Sequence, residues 1–298
     1  MLEYLNPVHE DDVTYSVDMV RLRLEFNETN MQVFGDWLSG VNCFFVESFP
    51  VSYKAYAYRN LFHVTCSNNN SFVVGLGFNG TTVSDYLLGF MEFNPNKVAN
   101  QKEFQLVMDK LRKYCFCAEL SRWDLAVDVP FAREQCHLRK DKRKYSLLEK
   151  SKIDRTENLG QRNKVGYVKL YNKRIESELD YELTRLEITL DGQCTYKDFL
   201  TYLPRIDVDG DQQTINPYVE LSGTNLVLYE LLMEHDLLER EHYMRRIGRR
   251  IAEQLRPYVY GSKYDSDKFV VSRNVFLQLK KQLREYTINI RYDLSDNL

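Results

Sequence analysis

The stretch Ser121–Val129, SRWDLAVDV, decides how this chain is read. A β-strand repeats every two residues, so Trp123, Leu125 and Val127 share one face, opposite Arg122, Asp124, Ala126 and Asp128. Two later stretches are built the same way. In Val165–Lys173 (VGYVKLYNK), Val168 and Leu170 oppose Tyr167, Lys169, Tyr171 and Lys173. In Leu183–Leu190 (LTRLEITL), Leu186, Ile188 and Leu190 oppose Arg185, Glu187 and Thr189. Three strands with one apolar and one ionisable face predict a sheet that covers a core on one side only.

If the three apolar faces align, Asp124, Asp128 and Glu187 gather on the other surface beside Arg122, Lys169, Lys173 and Arg185. Clustered carboxylates repel one another, and a divalent cation that prefers hard oxygen ligands relieves the repulsion. Asp124, Asp128 and Glu187 are therefore the candidate ligands for Mg²⁺ or Mn²⁺. Arg122, Lys169, Lys173 and Arg185 are candidate contacts to DNA phosphate. Metal and phosphate together suit phosphodiester chemistry, in which the cation polarises the phosphoryl oxygen. Alternation alone also permits a solvated face of cross-strand ion pairs, each individually weak.

Outward from these strands, Val13–Phe26 ends in alternation, Met19, Arg21, Arg23 and Glu25 against Val20, Leu22, Leu24 and Phe26. It predicts another half-buried strand. Residues 53–65 and 71–78 read as a hairpin turning at Ser67–Asn70. Glu103–Tyr114 places Phe104, Val107 and Leu111 on one helical face, and a further helix is expected near 195–203. Pro204 and the DVDGD run at 207–211 read as a linker. The expected architecture is α/β (α+β): a mixed, largely antiparallel sheet with flanking helices, in two related βαβ-like halves. A small helical domain follows, which divides the chain into 1–205 and 206–298.

The 298 residues carry 44% hydrophobic and 13% aromatic side chains, enough to bury a sizeable core. No apolar run is long enough to span a membrane, and the acidic start (Glu3, Glu10, Asp11, Asp12) does not read as a signal peptide. Cys43, Cys66, Cys115, Cys117, Cys136 and Cys194 form no CxxC pair, so they read as ordinary thiols in a cytoplasmic protein. A net charge of −3 hides an uneven distribution: residues 1–50 hold nine acids and two bases, whereas 131–164 hold eleven bases and five acids. Gly75-Leu76-Gly77-Phe78-Asn79-Gly80 fits GxGxxG, but no strand ending in an acid follows about 20 residues later. It reads as a glycine-rich strand end. DVDGD lacks calcium-loop spacing, and His9, His63, His137, His235 and His242 form no metal-binding pattern.

RWDLAVD, an LG…YVKLYNK stretch and LTRLEITL, in that order, resemble the catalytic domain of plasmid rolling-circle replication initiators. The likeness is to the trans-acting replication initiation factor family, related to relaxases of some integrative elements. That family shows R-x-D-hydrophobic-A-hydrophobic-D, then Y-x-G-S, then R-x-Y-D-K, then R-hydrophobic-E. This chain supplies Arg122, Asp124, Ala126 and Asp128; Gly160; Lys169, Tyr171, Asn172 and Lys173; and Arg185 and Glu187. The match covers residues 120–190 well and 13–115 only in outline. It implies double-stranded origin DNA as partner, with a host helicase and a second copy of the chain as candidate protein partners. It also places the family's nucleophilic tyrosine at Asn158, whose amide cannot form a phosphotyrosine bond. Tyr167 and Tyr171 are the remaining catalytic candidates. The expected function is origin binding in plasmid or mobile-element replication without family-type nicking. The alternatives are an active metal-dependent nicking-closing enzyme and a non-catalytic DNA-binding regulator.

Between Leu238 and Pro257, Met244, Ile247, Ile251 and Leu255 recur at helical spacing, with Arg245, Arg246, Arg249 and Arg250 on the opposite arc. An amphipathic helix with a guanidinium face suits DNA contact. Helices near 224–235 and 271–285 would complete a winged-helix or helix-turn-helix module.

Overall fold

The computed structural model describes residues 7–40, 45–49, 58–78, 87–151, 153–209, 217–260 and 267–289. The first half runs β1 (Val8–Glu10), β2 (Val13–Phe26), α1 (Glu28–Gly40), β3 (Phe45–Phe49), β4 (Tyr58–Thr65), β5 (Ser71–Phe78), β6 (Leu87–Phe93), α2 (Pro95–Val98) and α3 (Lys102–Tyr114). The second runs β7 (Cys117–Val129), β8 (Cys136–Leu138), β9 (Tyr145–Glu149), β10 (Arg155–Leu159), β11 (Val168–Asn172), α4 (Lys173–Glu176), β12 (Thr184–Asp191), α5 (Tyr196–Tyr202) and β13 (Ile206–Val208). Then follow α6 (Pro217–Glu220), α7 (Thr224–Met233), α8 (Leu237–Met244), α9 (Arg249–Val259), α10 (Arg273–Leu283) and β14 (Ile288–Asn289).

The main sheet has the order β3-β4-β5-β6-β2-β7-β12-β11-β10-β9, with β1 beside β2 and β14 beside β7. Every pairing among the described residues is antiparallel. The order is symmetric about the β2–β7 pair. In each half the chain leaves a central strand for the sheet edge and returns by successive hairpins to pair with that strand. Because three strands separate β2 from β3, the α1 crossover joins strands running in the same sense, which is the βαβ-like feature of the halves.

Alternation is obeyed in all three of the strands that define the polar face. Trp123, Leu125, Val127, Val168, Leu170, Leu186, Ile188 and Leu190 are all fully buried. Their face is covered by α1, α3, α5 and α10, where Phe276 stacks on Phe199 (5.2 Å between ring centres) and meets Trp123 at a tilt (5.7 Å). Burying such side chains stabilises the fold by about 1.5–3 kcal/mol each. Residues 269–288 belong to this core, whereas α7, α8 and α9 share a second core around Tyr229, Leu232, Met244 and Leu255.

Several local readings change. Asp207 and Val208, expected in a linker, form β13 against β8. Asp207 accepts hydrogen bonds from Arg139 (2.9 Å) and Arg256 (2.5 Å), tying α9 to the sheet domain. Gly210 and Asp211 lie outside the described residues, as do residues 53–57 of the expected hairpin and Asn79 and Gly80 of the GxGxxG match. Gly75 in that match is a packing position: a Cβ there would meet the Phe90 ring at 2.1 Å. The strand expected over 165–173 is shorter, because the Asn172 side chain accepts from Ile175 N (3.1 Å) and caps α4 at Lys173. The single helix expected between Leu238 and Pro257 is two. Gly248 adopts an extended conformation (φ −56°, ψ 140°) as the N-cap of α9, so the arginine arc is not continuous.

No helix among the described residues is long and apolar enough to cross a membrane. The five described cysteines are buried.

Candidate nucleic-acid interface

Antiparallel register builds the site row by row on the face away from the core. Thr189 pairs with Asp124, Glu187 with Ala126 and Arg185 with Asp128 between β12 and β7. Glu187 pairs with Lys169, and Lys169 with Asn158, across β11 and β10. The result is a cleft of about 960 Å³ whose lining includes the carboxylates of Asp18, Glu92, Asp124 and Glu187 and the bases Arg122, Lys144, Arg162 and Lys169.

The three carboxylates expected to share a metal lie on one face of neighbouring strands but do not form one cluster. Arg185 holds Asp128 through two hydrogen bonds of 2.6 Å and reaches Asp18 at 3.0 Å. Asp128 and Arg185 therefore neutralise one another beside the cleft rather than within it. Among the described residues no group of three or more His, Cys, Asp or Glu side chains has the geometry to hold a metal ion.

Asp124 and Glu187 have a different character. Burial, with the charges of Asp18 and Glu92 adding to it, raises the Asp124 carboxyl above its ordinary range against a hydrogen bond from Thr189. Its Oδ1 is sheltered from solvent and lacks a hydrogen-bond partner. Burial and the charge of Asp18 push Glu187 up to about 6, although Lys169 and Tyr171 oppose the shift. Lys169 Nζ stands 3.9 Å from Glu187 and 3.7 Å from the centre of the Tyr171 ring. Both carboxyls line the cleft and are desolvated, and Asp124 Oδ1 is a hard oxygen acceptor with no protein partner.

The two tyrosines are not equivalent. Tyr171 is buried, with its hydroxyl 2.7 Å from Glu187 and 3.0 Å from Glu176, and burial and Glu187 raise the phenol strongly. Tyr167 lines the cleft and donates from its hydroxyl to Asn158 Oδ1 at 2.6 Å. Gly160, with φ +90°, supports the turn that brings Gln161–Asn163 to the cleft wall. Lys173 lies outside the cleft and pairs with Glu176 at 2.5 Å. Arg122 lines the cleft and shares Glu92 with Arg21.

Asp18, Glu92, Lys144 and Arg162 are not among the residues singled out from sequence alone. Asp18 sits at a register irregularity between Val17 and Met19 of β2. Thr14, Ser16 and Asp18 alternate with the buried Val13, Tyr15 and Val17, a local signal for its face, and the bulge adds Met19 to the same side before Val20 returns to the core. Glu92 alternates with the buried Met91 and Phe93, a local signal by which it could have been found.

The basic stretch 131–164 is only partly surface. Arg133 and Arg155 are buried, Arg133 Nη2 lies 2.7 Å from Glu157 Oε1, and both arginines donate to the Cys136 carbonyl. Burial alone would raise Glu157, but His137 and Arg133 outweigh it and hold the carboxyl at about 2.

In the helical segment, Arg245 is tied to the buried Glu241 at 3.2 Å. Arg246, Arg249 and Arg250 are exposed around the turn between α8 and α9, and Arg249 pairs with the exposed Glu253.

No protein-family model and no curated protein matches the chain. One solved structure similar to it is the rolling circle replication initiator protein from Geobacillus stearothermophilus, at 15% identity, covering 61% of this chain and 75% of that one, with a TM-score of 0.35.

Proposed function

We propose that this chain binds double-stranded origin DNA of a plasmid or mobile element and takes part in initiating its replication. The observation that carries the reading is the cleft: four bases and four carboxylates line it over one face of the sheet. Arg122, Lys144, Arg162 and Lys169 take phosphate, which supplies most of the affinity and sets orientation. Asp124 and Glu187 are the pair that would hold Mg²⁺ or Mn²⁺. Such an ion, when bound, neutralises charge on a phosphate and polarises its oxygen. The ordered motifs around Asp124, Gly160, Tyr171 and Glu187 favour replication initiation over other uses of such a cleft.

The boundary expected at 205/206 moves: β13, α10 and β14 pack with the sheet, so in this reading they belong to the initiator-like domain, and α7, α8 and α9 with their own core are the helical DNA-binding unit. Residues 245–248 join α8 to α9 in a turn of helix-turn-helix length, and Arg246, Arg249 and Arg250 around it are placed for DNA. A host helicase and a second copy of the chain are the protein partners of this proposal.

Asn158 argues for binding and opening an origin without cutting it. A second reading, a nicking-closing enzyme, is favoured by one observation: the Tyr167 hydroxyl lies 2.6 Å from the Asn158 side chain, at the position where the resemblance puts a nucleophile. Tyr171 does not suit that role, since neighbouring carboxylates hold its proton. Supercoiled DNA carrying the element's own origin, incubated with the protein and Mg²⁺ or Mn²⁺, tests both. Shifted but uncut DNA with no covalent adduct is expected. A nicked product joined to protein, lost in Tyr167→Phe, would install the enzyme reading. Binding without any permanganate-reactive, melted bases would favour the regulator.

A further inference from the structure

On the opposite side of the sheet from the cleft, α5 and α10 leave an open groove of about 580 Å³. We propose that this groove docks an acidic, amphipathic helical segment of a partner protein, independently of DNA.

Its floor is apolar. Tyr196 and Phe276 line it, and Leu200 and Leu277 project from the two helices while 47% and 48% exposed. An exposed leucine alone needs no explanation, but two from different helices over one groove make a contiguous apolar strip. The charge lining it is basic. Lys197, Arg273, Lys280 and Arg284 line the groove and no carboxylate does, although the chain as a whole carries −3. Lys280 donates to the Cys194 carbonyl at 2.6 Å. Among the described residues no carboxylate forms an ion pair with Lys197, Arg273 or Arg284. Asp198, the nearby acid on α5, accepts from the Thr195 backbone N–H and hydroxyl at the helix start and lies within electrostatic reach of Lys197 and Lys280, so it offsets part of their charge but not that of Arg273 and Arg284.

Two features choose the occupant. The excess of bases along the groove, four against the single nearby Asp198, selects a negative partner by charge complementarity. The exposed leucines distinguish a peptide from DNA, because a phosphate backbone covers no aliphatic side chain, whereas an amphipathic helix lays leucines into such a groove. Since α5 and α10 pack on the core face, the groove stays accessible when the cleft is filled.

The test uses the full chain and a fluorescein-labelled peptide of about 16 residues, with leucines at i, i+3 and i+7 flanked by glutamates. Fluorescence anisotropy should show saturable binding, weakened about ten-fold or more by Leu277→Glu and separately by Lys197→Glu with Arg273→Glu. These positions are exposed, and an unchanged melting temperature confirms that each variant folds. Duplex DNA at saturating concentration should not displace the peptide. Three results would overturn the proposal. A scrambled peptide of equal charge could bind as well, duplex DNA could compete, or sedimentation could show self-association abolished by Leu277→Glu, which makes the groove a contact between copies.

Discussion

Arg185 grips Asp128 through two parallel hydrogen bonds, Nε to Oδ1 and Nη2 to Oδ2, each 2.6 Å long between partners that are both buried. The pairing joins β12 to β7 and removes both residues from the set free to hold phosphate or metal. Arg185→Ala leaves Asp128 charged without its partner, a loss that costs about 3–5 kcal/mol where a buried pair is broken. Urea denaturation should show a drop at or below the lower end of that range, since Asp128 can rehydrate from the adjoining pocket. A loss under about 0.5 kcal/mol, the scale of an exposed pair, would contradict this role.

Glu157 governs acid stability. Its carboxyl is held at about 2 against an ordinary 4.5. A depressed acid contributes stability that is complete above the unfolded value and is lost as pH falls from about 4.5 towards 2. The loss across that window is on the order of 3 kcal/mol. Glu157→Gln should lower stability at neutral pH and flatten the acid limb of the curve. An equally steep limb in the variant would assign acid unfolding to other carboxylates.

Glu187 titrates the other way, because burial and the charge of Asp18 raise it to about 6. The protonated form presents less negative charge to a phosphate. Without divalent metal, DNA affinity should therefore rise as pH falls through about 6. Mg²⁺ should strengthen binding mainly above that pH, where the carboxylate is charged. Glu187→Gln should remove most of both dependences. Filter binding at fixed ionic strength from pH 5 to 8 measures them, and a metal effect unchanged in the variant would take Glu187 out of the site.

The arginines around the α8–α9 turn divide into two roles. Replacing Arg246, Arg249 and Arg250 with Ala should reduce the slope of log K against log salt by roughly 0.9 for each phosphate no longer neutralised, with little change in melting temperature. Arg245→Ala instead removes a partner of the buried Glu241, so it should lower the melting temperature and change the slope least. If all four behave alike, the turn is not a separate DNA-binding element.

A last prediction concerns Asn158 and Tyr167. Asn158→Ala removes the acceptor 2.6 Å from the Tyr167 hydroxyl. Burial is the main cause of the raised phenol, so ultraviolet titration should still find Tyr167 ionising above the ordinary value near 10. A fall to that value would show that the hydrogen bond governs the phenol.

The polar and apolar faces of β7, β11 and β12 were legible in the sequence because strand alternation is local: Trp123, Leu125 and Val127 need a core whichever strand lies beside them. The helices α3, α5, α7 and α10 were legible for the same reason, from periodic apolar residues. What each polar residue does was decided by register, which depends on residues far apart in the chain. Asp124, Asp128 and Glu187 look alike in sequence. Only the pairing of Arg185 with Asp128, and of Lys169 with Glu187, makes one carboxylate a structural ion pair and another a raised acid in a cleft. The bulge that puts Met19 beside Asp18 on the cleft side and the break at Gly248 were likewise hidden, because a single residue of backbone geometry overrides the period on which sequence reading depends. The sequence by itself determined which faces are apolar and which bear charge. The tertiary structure decided which charges meet, because ion pairing and desolvation depend on distances that only the folded sheet sets.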